Sequence, residues 1–131
     1  MSKRAHDPAA GPSQRQLRVA EEVRHALAGV FTRGEFRDPA LAGVHITVTE
    51  VRASPDLKHM TAFISALGRD VTAEEFAALR RAHAYIRGEV VRAVRLRSAP
   101  EIHFQPDEAL DYAMKMNELL NRPEVKRDTQ G

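Results

Sequence analysis

The sequence predicts an α+β fold: three helices on one face of a three-stranded sheet, in the order α-β-β-α-α-β, followed by a short C-terminal helix. Three observations carry this. Apolar residues recur at helical spacing over 14–33 and again over 72–95. Apolar residues at every second position mark strands over 44–51, 60–66 and 101–105. The chain has 131 residues and no cysteine, enough for one domain whose amphipathic helices bury their apolar stripes against a sheet face.

The elements follow in order. Residues 1–13 are polar, contain Pro8, Gly11 and Pro12, and read as a disordered tail. Ser13 is placed to cap a helix starting at Gln14, whose stripe is Val19, Val23, Ala26, Leu27, Val30 and Phe31. Gly34 ends it, and Pro39 breaks the loop that follows. Val44, Ile46 and Val48 alternate with His45, Thr47 and Thr49 in a first strand; the parity then slips to Val51, which predicts a bulge. Ser54, Pro55 and Asp56 supply a turn. Met60, Ala62, Ile64 and Ala66 form the second strand of a hairpin closed at Gly68.

Thr72 with Glu75 three residues later is a capping box opening the next helix. Its stripe runs through Phe76, Leu79 and Ala82, then on through Ile86, Val90 and Val94. One helix over all of this exceeds the usual globular length, and the small residues Ala82, Ala84 and Gly88 permit a break. Arg97 to Pro100 stop the helix, and Glu101–Gln105 is a third strand with Ile102 and Phe104 on one side. Asp107 caps a last helix carrying Leu110, Met114, Leu119 and Leu120, and residues 122–131 read as a flexible tail. Residues 14–121 thus form one domain. Their element order is the type II K-homology (KH) topology, a single-stranded RNA-binding architecture, although a fold alone does not assign a function.

The charge distribution narrows the function. Net charge is +2, but residues 80–97 hold six arginines against Glu89, so this segment carries +5 and the rest of the chain −3. On a straight helix Arg80, Arg81, Arg87, Arg92 and Arg95 lie opposite the apolar arc of Ile86, Val90, Ala82 and Ala93. Such a run is a solvated helix face or an anion-binding face; arginine favours the second weakly, because guanidinium makes bidentate phosphate contacts and stacks on bases. A membrane-lying helix fits less well, since the apolar face is needed for the core.

Other chemistry lacks its residues. With no cysteine, disulfides, thiolate catalysis and cysteine-based zinc sites are excluded. The N-terminal residues hold no apolar signal segment, and no stretch is apolar enough to span a membrane. Phosphate-loop, dinucleotide, zincin and nucleophile-elbow motifs are absent. His45, His59 and His103 fall on predicted strands opposite the apolar residues, where a shared face would let them converge, and read as exposed residues or RNA contacts in preference to metal ligands. For Tyr85 and Phe63, packing competes with base stacking.

Four segments in order resemble the ribosome-binding factor A family: RQLRVAEEVRHALAGVF, RDPAL, ITVTEVRASPDLKHMTAFIS and AHAYIRGEVVRAVRLRSAPEIHFQPDEAL, together spanning roughly 14–121. The resemblance implies a KH-like, non-enzymatic assembly factor without cofactor or small-molecule substrate. Such a factor is a cytoplasmic monomer that binds the immature 30S subunit and 16S rRNA, assists maturation of that RNA and matters most in the cold. The family's Ala-x-Gly kink aligns with Ala82, His83 and Ala84; alanine in the glycine position disfavours positive φ and predicts a gentler kink. The RNA-facing residues expected are Arg80, Arg81, Arg87, Arg92 and Arg95, with His83, Tyr85 and Lys58 secondary. Asp38, Pro39, Ser54, Pro55, Asp56 and Pro100 are expected to shape loops. The alternative is a protein-interaction module docking an acidic partner on the basic helix.

Overall fold

The structure, a computed structural model, describes residues 11–67 and 69–107 together with Met116 and Leu120. Residues 1–10 of the first tail, the second tail, the hairpin closure at Gly68 and the predicted C-terminal helix apart from Met116 and Leu120 lie outside the described residues.

Helix α1 spans Gln14–Arg33. Ser13 and Gln16 cap it reciprocally: the Gln16 N–H donates to Ser13 Oγ at 3.1 Å, and the Ser13 N–H donates to Gln16 Oε1 at 2.9 Å. Gln16 is buried, and its Nε2 also donates to the Ala53 carbonyl at 2.9 Å, tying the helix start to the sheet. Gly34 ends α1 at φ 64°, in the left-handed conformation that glycine adopts without strain. A short 3₁₀ turn at Pro39–Leu41 leads into the sheet.

Strands β1 (Ile46–Ala53) and β2 (His59–Ala66) are antiparallel, and the expected bulge lies between Val48 and Glu50. His45 corrects the sequence reading, for it lies one residue ahead of β1. Strand β3 (Glu101–Pro106) runs parallel to β2, giving the order β1-β2-β3 with β3 at an edge. Val48, Val51, Met60, Ala62 and Ile64 face the helices and are buried with Val19, Val23 and Leu27 of α1. Leu79, Ile86 and Val90 of the following helices complete this core.

Helix α2 spans Ala73–Arg81 and α3 spans His83–Val94. The Thr72–Glu75 capping box forms as predicted. Between the helices a single residue, Ala82, leaves helical geometry at φ −91°, ψ 10°. The break therefore falls inside the predicted Ala82–Ala84 stretch, at its first residue. Ala84 lies within α3, and the non-glycine residues with positive φ among those described are Leu57 and Arg95. Alanine is tolerated at 84 because the break does not draw on the freedom of a glycine there.

Candidate nucleic-acid interface

The helix break and the edge of β3 form one groove. A cavity of about 360 Å³ is lined by Phe76, Leu79, Arg80 and His83 on the helix side and by Glu101–Gln105 along the strand. As an edge strand, β3 offers backbone donors and acceptors on its outer side. At the break, His83 Nδ1–H donates to the Arg80 carbonyl at 2.9 Å. A carbonyl only accepts, so Nδ1 carries the proton in this bond and Nε2 is the ring's second polar atom. The same bond satisfies a carbonyl at the end of α2. Arg80 is exposed and has no ion-pair partner among the described residues.

The remaining arginines of the run separate into distinct roles. Arg81 Nε donates to Asp38 Oδ2 at 2.9 Å, anchoring the loop after α1; this bond and the Ala40 N–H hold the Asp38 carboxyl below its usual range. Arg87 turns toward the chain entering β3, donating from Nε to the Pro100 carbonyl at 2.9 Å and from Nη2 to the Ala99 carbonyl at 3.1 Å, with Glu101 at 3.5 Å. Arg92 donates to Glu89, which also accepts from Arg33 Nη2 at 2.9 Å. The Arg92 bond leads the causes that depress the Glu89 carboxyl. Arg95, exposed beyond the end of α3, has no such partner among the described residues.

Of the secondary residues, His83 lines the groove and Lys58 sits in the β1–β2 turn, away from it. Tyr85 packs edge-on against Phe36 at 5.7 Å and donates to Glu35 Oε1 at 3.4 Å. Burial, then the nearby carboxylates of Glu35 and Glu89, push its hydroxyl pKa up. Phe63 carries the Arg52 guanidinium 4.8 Å over its ring. Asp38 and Asp56 shape their loops as expected, each accepting a backbone N–H two residues on.

Sequence reasoning left open which strand histidines pair and overlooked one further grouping. His59 and His103 stack at 5.6 Å across the β2–β3 register, with ring nitrogens 3.3 Å apart. Only the parallel pairing, which sequence pattern does not reveal, brings them together. No group of three or more metal-ligating side chains occurs among the described residues. Arg15 and Arg97, outside the expected set, meet Lys58 at the opposite end of α3 from the break.

The fold and groove define a class: a KH-like α+β domain with a cationic helix junction beside a strand edge that is unpaired among the described residues. A model of one family, ribosome-binding factor A, matches residues 15–120. The ribosome-binding factor A of Paramagnetospirillum magneticum is 55% identical over 89% of this chain and 82% of its own. That of Maricaulis maris is 47% identical over 98% of this chain and 91% of its own. The crystal structure of ribosome-binding factor A from Thermus thermophilus superposes with a TM-score of 0.58 at 27% identity, over 70% of this chain and 94% of that one. A homology model of the Thermus thermophilus protein, fitted into a cryo-EM map of a 30S complex, gives the same TM-score at 26% identity, over 71% of this chain and 96% of that one. The chain belongs to the ribosome-binding factor A family.

Proposed function

We propose that this chain is an assembly factor of the small ribosomal subunit, binding the immature 30S particle and its 16S rRNA as a monomer and without catalysis. The observation that carries the reading is the groove, where Arg80 and His83 stand beside the outer edge of β3. A single strand laid there meets a cation for its phosphates and backbone groups for its bases. Family membership supports the choice of the ribosome as partner, since a relative was fitted into a 30S map. Binding by the cytoplasmic chain then assists maturation of the 16S ends, and cells lacking it are expected to accumulate 16S precursors, most strongly in the cold.

Co-sedimentation with 30S particles across a salt series tests the binding. Phosphate contacts predict a steep loss of binding with salt, and Arg80→Glu should lower the log–log slope by about one. A folded Arg80→Glu variant that co-sediments like wild type would remove the groove from the binding surface. Competition separates the acidic-partner reading: 16S fragments should displace the bound chain, and acidic protein should not.

A further inference from the structure

A second cationic site lies at the far end of α3. There a hollow of about 320 Å³ is lined by Arg15, Asp56, Leu57, Lys58, Leu96, Arg97 and Ser98. Its cations come from three separate elements: the first turn of α1, the β1–β2 turn, and the connection from α3 to β3. All three are exposed, and none has an ion-pair partner within salt-bridge distance among the described residues.

The single acid of the lining among the described residues, Asp56, is committed to its own turn. Its Oδ1 accepts from the Ser54 hydroxyl at 2.7 Å and from the Lys58 N–H at 3.0 Å. These bonds, the Ser54 one foremost, hold its carboxyl below the usual range; the charges of Lys58 and His59 add to them. With three cations against this one carboxylate among the described residues, that lining is net positive. The first turn of α1 contains no acid, so its positive dipole end adds to the field. Leu57 and Leu96 supply low-dielectric walls that focus it.

Two turns are bent to build this place. Leu57 and Arg95 adopt left-handed φ values of 61° and 59°, uncommon for side chains larger than asparagine. Leu57 directly precedes Lys58, and Arg95 lies two residues before Arg97. No aromatic ring lines the hollow among the described residues, and its chemistry there suits a phosphate better than a base.

We propose that the hollow of Arg15, Lys58 and Arg97 is a second phosphate site, holding the sugar-phosphate backbone of single-stranded RNA at the end of α3 away from the groove. The proposal rests on reading the chain as an RNA binder, and it adds a contact that the arginine run alone does not predict.

The test is a titration of the ¹⁵N-labelled full chain with an oligouridine long enough to reach from the groove to the hollow, followed by amide chemical shifts. Saturable shifts are expected at Arg15, Leu57, Lys58, Arg97 and Ser98 as well as along the groove. Lys58→Gln/Arg97→Gln should remove the first set, keep the second, and lower the salt slope of binding by about two. Neither side chain has a salt-bridge partner among the described residues, and the spectrum itself reports whether the variant is folded. Shifts confined to the groove overturn the proposal, as do equal shifts from polyglutamate at matched ionic strength or an unchanged salt slope in the variant. Failure of the wild type to bind 30S particles would instead count against the ribosomal reading, because oligouridine alone judges the hollow.

Discussion

Glu75 is buried yet ionised, and its environment explains how. Arg69 grips it with two donors, at 2.9 Å to Oε1 and 2.7 Å to Oε2, while the Thr72 N–H donates to Oε1 at 2.9 Å. The Arg69 bonds lead in holding its pKa down, from 4.5 to about 2, against burial, which raises it. A carboxyl depressed on folding stabilises the native state above its unfolded pKa and loses that contribution as pH falls through the folded one. The Glu75 contribution is therefore complete above about pH 5 and disappears toward pH 2. The full shift corresponds to about 3 kcal/mol. Arg69 is half-exposed, so solvent screening trims this to about 1–2 kcal/mol. Urea unfolding from pH 7 to pH 2.5 should show Glu75→Gln less stable than wild type at neutral pH, with the two curves converging in acid. Parallel curves would show that the ion pair does not supply the acid sensitivity.

At the scale of elements, the helix ends carry the informative chemistry. Helix α3 ends on Arg95 at φ 59°, where glycine is the usual residue. A non-glycine residue there costs about 1–2 kcal/mol. Arg95→Gly should therefore raise Tm by about 4 °C or more, as this energy implies for a domain of this size. Arg95→Ala keeps the left-handed strain and serves as the control; equal melting of the two variants would remove strain as the cause. Local signals of this kind were legible in sequence: Ser13, Gly34, Thr72 with Glu75, and the parity slip before Val51 each depend on residues within a few positions. The fates of the arginines were not. Arg81 meets Asp38 across 43 positions, and Arg87 reaches the Ala99 and Pro100 carbonyls 12 and 13 positions on. Folding alone brings these partners together, so a helical projection that separates basic from apolar arcs treats clamps and free cations alike.

For the whole molecule, those pairings divide one basic run into two poles. Arg81, Arg87 and Arg92 meet Asp38, Glu101 and Glu89, leaving Arg80 in the last turn of α2, at the break before α3, and Arg95 and Arg97 beyond the end of α3. Twelve helical residues separate the poles, a distance of about 18 Å. A ligand that reaches one pole binds with that pole's affinity alone. Once a single strand spans both, the second contact becomes intramolecular, at an effective concentration of about millimolar for a short flexible tether. Affinity for oligouridines of increasing length should then rise in a step of about 10²-fold or more, not in equal increments per nucleotide. Lys58→Gln/Arg97→Gln should erase the step while leaving the affinity of the shortest oligomers unchanged, because those occupy the groove. Arg80→Glu should weaken short and long oligomers together. A smooth rise with length in the wild type, insensitive to Lys58 and Arg97, would mean that the two poles do not share one strand.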